Sequence, residues 1–187
     1  MIYDYRINIK TAGPSEYGVR SEIYFSGCQR ALDGNPCPGC FNRDLWSFKN
    51  GTYLTPEQII DRLEDQNSVK AVTIVGGEPG DQPYELYLLV KELKKHGYHI
   101  ALFTHKEYSN YIEDANIRAA LMFVDVLIDG SYDPDQRHYD DTHENQLLCF
   151  IGSKNQRVYD LRQFPIVRYY RYPEDLEEIR EVMCSGK

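Results

Sequence analysis

The sequence predicts an α/β fold with mostly parallel strands, and three features point there. Short apolar runs bounded by turn residues recur along the chain, segments with one-sided apolar spacing lie between them, and the connections are short. At 187 residues the chain is expected to form one domain, residues 1–187, able to bury a core without disulfides.

The elements follow in order. Ile2 to Ile9 alternates apolar and polar residues, the pattern of a half-buried strand. Gly13-Pro14 and Gly18 make Thr11 to Gly18 a loop. Glu22 to Ser26 is a short strand that delivers Cys28 into the next loop, and a turn falls at Asn50-Gly51. A helix starts at Thr55, which caps; Pro56 takes the first helical position and Gln58 completes a capping box. Ile59, Ile60 and Leu63 mark its buried stripe. Val69 to Val75 is a buried strand ending at Gly76-Gly77-Glu78-Pro79-Gly80. Tyr84 to His96 reads as a helix with Leu86, Leu89, Val90 and Leu93 on one side and Gly97 as its C-terminal glycine. Tyr98 to Phe103 is the next strand, ending at Thr104-His105; a helical segment runs from Ser109 to about Leu121, and Val124 to Asp129 is a further strand. Asp133 to Asn145 is polar and reads as irregular, with Leu147 to Phe150 and Gln156 to Tyr159 as two more strands around Gly152-Ser-Lys-Asn155. Pro173 to Cys184 reads as a helix with Leu176, Ile179 and Met183 on one face.

Charge and composition narrow the function. Lys and Arg total 21 and Asp and Glu 29, a net charge of −8 with no basic run, which disfavours nucleic acid as a partner. No stretch of eighteen apolar residues is present, and Met1 to Arg6 lacks the apolar core of a signal peptide, so the expectation is a cytoplasmic protein with no membrane partner. In that compartment clustered cysteines bind metal more often than they pair. The sixteen tyrosines fit ordinary packing or an aromatic-rich partner face.

Three of the five cysteines, Cys28, Cys37 and Cys40, lie in thirteen residues at the spacing Cys-x8-Cys-x2-Cys. Thiolates suit iron–sulfur clusters or zinc. With no histidine nearby, a four-coordinate site is one protein ligand short, where a structural zinc site is normally closed by four. Iron–sulfur cluster, zinc and unligated thiols are the three readings of these residues alone. In parallel α/β layers, ligand-binding loops collect at the carboxyl ends of strands. The cysteine loop, Gly76-Gly77-Glu78-Pro79, Thr104-His105 and Asp129-Gly130 each follow a strand and would share one rim. Paired glycines let a backbone approach a ligand, and Glu78 adds an acceptor for a cationic amine. Elsewhere Cys149 reads as a buried strand residue, Cys184 has no assigned role, and His96 and His99 have no other ligands near in sequence. His138 and His143 lie in an acidic stretch that reads as a solvated face, with a second metal as the rival.

On these residues the chain resembles the radical S-adenosylmethionine superfamily, and within it the activating proteins of anaerobic ribonucleotide reductase. The resemblance is carried by Phe25-Ser-Gly-Cys28, Cys37-Pro-Gly-Cys40-Phe-Asn42, Trp46, Gly76-Gly77-Glu78-Pro79, Val126-Leu-Ile-Asp129-Gly130 and Gly152-Ser-Lys-Asn155-Gln-Arg157. It covers about residues 17–160, leaving a tail of about residues 161–187 with a docking helix. It implies an open, partial (β/α) barrel of about five or six mostly parallel strands. It also implies a [4Fe–4S] cluster on Cys28, Cys37 and Cys40, with S-adenosylmethionine bound at the fourth iron. Gly76, Gly77 and Glu78 would hold the methionine amine, Phe41 would lie against the adenine, and Thr104 would sit near the ribose or carboxylate. Asp129 and Gly130 are read equally as a partner-facing rim and as a strand end.

The implied activity is reductive cleavage of the cofactor to a 5′-deoxyadenosyl radical. That radical would make a glycyl radical on a partner, anaerobic ribonucleotide reductase, with a flavodoxin- or ferredoxin-type reductant supplying the electron. Three departures mark this chain. The first cysteine gap is eight residues where the family has three. Gly13-Pro14-Ser15-Glu16 replaces a glycine-proline-glycine-arginine run with Arg20 displaced downstream, and His105 stands for a glycine. The longer loop costs only about 1 kcal/mol in closure entropy, and it adds Arg30 to Asn35 beside the open iron. A radical enzyme acting on a small molecule, such as a deazapurine-type synthase, and a zinc-stapled interaction domain are the alternatives.

Overall fold

The computed structural model describes residues 2–11, 20–65, 69–137, 151–171 and 174–184, with side chains described from residue 20 onward except that of Cys184. Eight strands among these residues form one sheet: β1 (Ile2–Thr11), β2 (Arg20–Phe25), β3 (Thr52–Leu54), β4 (Ala71–Gly76), β5 (His99–Phe103), β6 (Val126–Asp129), β7 (Arg157–Asp160) and β8 (Arg168–Arg171). Their spatial order is β3-β1-β2-β4-β5-β6-β7-β8. Strands β2, β4, β5 and β6 are parallel to their neighbours within this block, and antiparallel pairs extend it at both ends. The expected α/β architecture is present, the parallel strands sit at its centre, and the sheet stays open. It is longer than the five or six strands expected because β3 and β8 add edges.

Among the described residues, six α-helices connect or cover the sheet: α1 (Gln29–Leu32), α2 (Pro56–Asp65), α3 (Pro83–Lys95), α4 (Tyr108–Tyr111), α5 (Ala115–Leu121) and α6 (Leu176–Cys184). The capping box of α2 forms as its sequence dictates: Thr55 N–H donates to Gln58 Oε1 at 2.9 Å, and Gln58 N–H donates to Thr55 Oγ1 at 3.3 Å. The four apolar residues expected on one face of α3 are all fully buried. The helical segment expected from Ser109 to Leu121 is instead two helices. Asp114 interrupts it by capping α5, its carboxylate accepting from Asn116 and Ile117 N–H.

Alternation along β5 and β6 feeds two cores. Ile100, Leu102 and Leu127 point to one face with Leu63, Leu89 and Leu121 of α2, α3 and α5. Ala101, Val126 and Ile128 point to the other, covered by Ile179, Val182 and Met183 of α6. The tail helix therefore docks on the face opposite α2 and α3. A buried polar cluster ties its end to the sheet. Arg20 donates to Thr73 Oγ1 at 3.0 Å and to the carbonyls of Val72 and Met183, while His99 Nε2 lies 3.1 Å from the Val182 carbonyl. Arg20, the arginine displaced downstream of the altered glycine-proline run, thus lies at the end of β2 away from the cysteine loop. The expected loop at Thr11 to Gly18 beyond Thr11, the strand at Leu147 to Phe150, Cys149, His138 and His143 fall outside the described residues. No helix among the described residues is long and apolar enough to cross a membrane.

Candidate functional site

The four parallel strands end on the same side, and their loops enclose a cavity of about 220 Å³. Its lining includes Cys37, Cys40, Phe41 and Asn42 after β2, Gly76 at the end of β4 and Gly77 just beyond it, Thr104 and His105 after β5, and Gly130 and Tyr132 after β6. All four loops expected at the strand ends therefore contribute to one cavity, while Cys28, Glu78 and Asp129 are not among its lining residues.

The paired glycines have a steric cause. Past the end of the β2–β4 ladder, Gly77 N–H donates to Phe25 O at 2.8 Å and Glu78 N–H to Gly27 O at 2.7 Å. A Cβ on Gly76 would lie 2.3 Å from Phe25 O, and one on Gly77 would lie 2.2 Å from Gly27 O. Only glycine admits the cysteine strand this close. Gly76 also has a φ of +122°, a conformation costly for other residues. From beneath, the Gln82 side chain donates to Ser26 O at 2.8 Å. On the other side Gly27 N–H donates to Leu45 O and Cys28 N–H to Trp46 O at 2.8 and 2.9 Å. The backbone of Cys28 is thus held from three directions.

Cys28 is 8% exposed, while Cys37 and Cys40 are half-buried and border the cavity. Burial pushes the Cys28 thiol up to about 11, with Glu78, Asp81 and Cys37 adding to the effect. A positive iron reverses that penalty by taking the thiolate as ligand. The Trp46 indole N–H donates to Cys40 Sγ at 3.4 Å, the kind of hydrogen bond that accompanies cluster sulfurs. Among the described residues, no three Cys, His, Asp or Glu side chains converge around a single ion. Three thiols on one loop, with a donor aimed at one of them, fit the donor set of an iron–sulfur cluster.

Glu78 lies below the cavity floor with no exposure. Its Oε1 accepts from Gly80 N–H and Thr104 Oγ1–H, both at 2.9 Å, and its Oε2 accepts from His105 N–H at 2.9 Å. Burial raises its pKa, opposed by the nearby His105 ring, whose Nε2 is 3.6 Å from Oε2. Thr104 borders the cavity but spends its proton on Glu78 and accepts from Lys106 N–H at 3.1 Å. Phe41 is 69% exposed at the rim, packed on Tyr132 with ring centroids 5.2 Å apart and with the Arg137 guanidinium 5.7 Å from its centre. Asp129, fully buried, forms a two-pronged pair with Arg157 at 2.9 and 2.7 Å and caps Tyr108 N–H, so its carboxylate ends a strand rather than facing the rim.

Sequence reasoning assigned no role to several residues that complete the site. Asn42 donates to Gly76 O at 3.0 Å, tying the third cysteine's loop to the glycine turn; its place two residues after Cys40 was the available signal. Gln156 fastens the outer rim, donating to Gly130 O and accepting from Gly152 N–H. The added loop residues are pinned on both sides. Gln29 N–H donates to Asp81, which pairs with Lys106 at 2.9 Å, and Arg30 donates to Ser131 Oγ, whose hydroxyl bonds His105 O.

A family model described as "4Fe-4S single cluster domain" matches residues 15–159. The anaerobic ribonucleoside-triphosphate reductase-activating protein of Haemophilus influenzae is 30% identical over 149 residues, 76% of this chain and 88% of the relative. That of Pasteurella multocida is 28% identical over 156 residues, 79% of this chain and 90% of the relative. The pyruvate formate-lyase-activating enzyme of Clostridium pasteurianum is 34% identical over 149 residues, 76% of this chain and 54% of that longer protein.

Proposed function

The chain belongs to the 4Fe-4S single cluster domain family and, within it, to the radical S-adenosylmethionine activases of glycyl radical enzymes; from that premise we propose that it generates a glycyl radical on an anaerobic ribonucleotide reductase. A [4Fe–4S] cluster would be held by Cys28, Cys37 and Cys40 and would supply one electron for reductive cleavage of S-adenosylmethionine, the source of the radical that would take hydrogen from the partner's glycine.

The chain's own residues do the rest. Cys28, Cys37 and Cys40 hold the cluster. The cavity-facing backbone of Gly76 and Gly77 receives the methionine amine, and Glu78 supplies negative charge from beneath while bracing the floor. Phe41, with Tyr132 against it, offers an apolar wall to the adenine, and Thr104 orders the edge near the ribose or carboxylate. Arg30 and the residues after it border the opening through which the partner's glycine arrives. A flavodoxin- or ferredoxin-type protein is the proposed electron donor.

The observation that carries this reading is the convergence of the cysteine loop and the glycine turn on one cavity, joined strand to strand by backbone hydrogen bonds. The test is anaerobic reconstitution with iron and sulfide, then assay for 5′-deoxyadenosine and for the glycyl radical by electron spin resonance, with and without the reductase. Both products are expected with the parent chain, and neither with Cys40→Ala. Cofactor cleavage without any glycyl radical would move the assignment to a small-molecule substrate. Zinc without iron or labile sulfide would remove the enzymatic reading altogether.

A further inference from the structure

We propose that Trp46 is a positioning residue for the iron centre: its indole N–H, aimed at the sulfur of Cys40, sets the cluster's reduction potential, while its carbonyl fixes Cys28. The proposal rests on the reading that these cysteines carry a four-iron cluster.

The geometry makes Trp46 the one residue bonded to both the first and the last of the three cysteines among the described hydrogen bonds. Its indole nitrogen is 3.4 Å from Cys40 Sγ, and its carbonyl accepts the Cys28 N–H at 2.9 Å. The backbone that carries the ring is fixed independently of either sulfur. Leu45, immediately before it, is 1% exposed and accepts from Gly27 N–H at 2.8 Å, and the short turn Arg43–Leu45 closes on Asn42 O. The indole donor is therefore carried on a backbone held by its own hydrogen bonds beside the cysteine loop. An N–H dipole directed at a ligand sulfur favours the more electron-rich state, and such bonds are among the factors that set iron–sulfur potentials. The donor therefore raises the potential and eases acceptance of the electron.

Trp46 is the chain's sole tryptophan, so biosynthetic replacement with tryptophan analogues alters this position alone. Benzothienylalanine keeps the ring shape and replaces the N–H by sulfur; a ring-fluorinated tryptophan keeps the N–H and makes it more acidic. Each protein is reconstituted without oxygen, iron and sulfide are counted, and the cluster potential is titrated by electron spin resonance. The expected result is equal iron content, a lower potential with benzothienylalanine and a higher one with fluorotryptophan. Coincident potentials in proteins with full clusters would overturn the proposal. If the benzothienylalanine protein loads no iron, an unshifted potential in the fluorotryptophan protein overturns it just as well. Failure of the unaltered protein to bind a four-iron centre would instead overturn the underlying reading, and the iron count reveals that before any potential is measured.

Discussion

Replacing Glu78 by Ala separates two roles that one side chain combines. The carboxylate accepts from Gly80 N–H, His105 N–H and the Thr104 hydroxyl, each at 2.9 Å, and is wholly buried. Alanine leaves two backbone donors without an acceptor, at about 1–3 kcal/mol each, while the Thr104 hydroxyl is free to rotate. Against this stands the relief of desolvating a carboxylate, the leading cause of its raised pKa. The net loss should be about 3 kcal/mol, enough to lower a urea midpoint measurably. The pH signature follows from the direction of the shift. A carboxyl whose folded pKa is raised contributes most below its unfolded value, and that contribution fades as pH rises through the folded value. The gap between parent and Glu78→Ala should therefore be widest below the ordinary glutamate value of 4.5 and narrow as pH rises above it. The assay is anaerobic urea denaturation of the cofactor-free protein at several pH values, paired with a binding isotherm for S-adenosylmethionine. Unchanged stability at every pH with abolished cofactor binding would refute the bracing argument and make Glu78 a ligand alone.

Other expectations follow from the same geometry. Gly77→Ala puts a methyl 2.2 Å from Gly27 O and 2.9 Å from Leu45 O, both backbone, so the Cys28 strand end must shift; iron and sulfide per chain after reconstitution should fall sharply. His99, held down to about 4 by burial and by Arg20, stays neutral in the fold. Its contribution is intact above its ordinary value near 6.5 and is lost as pH falls toward 4, by about 3 kcal/mol, so parent stability should drop over that window and His99→Gln should flatten the profile. Deleting Arg30 to Gly34 shortens the first cysteine gap from eight residues to three; iron loading should persist, while glycyl radical yield on the reductase should change.

The sequence made the parallel core and the rim legible because both rest on local patterns. Apolar runs such as Val72 to Val75 and the one-sided spacing of α3 require no knowledge of the rest of the chain. Long-range pairings were not legible. Strand β3 has three residues and exists through the pairing of Leu54 with Ile2. Strand β8, Arg-Tyr-Tyr-Arg, is mostly exposed and has no apolar alternation to announce it. The direction in which Glu78 points could not be read from Gly-Gly-Glu-Pro, because that is decided by donors 26 and 27 residues away at Thr104 and His105. The break before α5 had a signal in Asp114, a strong capping residue, but apolar spacing ran on across it and hid the interruption.

The open sheet itself bears on what can be a substrate. A closed barrel admits what fits through its end, whereas a sheet whose edges stay apart leaves its strand-end cavity accessible from the side as well. Here the parallel run stops at β6 because β7 returns antiparallel, locked in register by the Asp129–Arg157 pair, and β8 pairs antiparallel with β7 in turn. Among the described residues, no strand bridges from β8 back to β3 on the other edge. Of the molecules that could donate hydrogen in such a cavity, a backbone glycine on a folded partner is the one that requires lateral room. The rim is also arranged to keep that room ordered: Arg30 reaches Ser131, Ser131 bonds His105 O, and Asn155 donates to Ser131 O, so the inserted loop and the outermost strand connection are fixed through one serine. A small-molecule enzyme would gain by closing this side, whereas the proposed activase needs it open, and among the described residues the serine-centred ties leave it open and ordered.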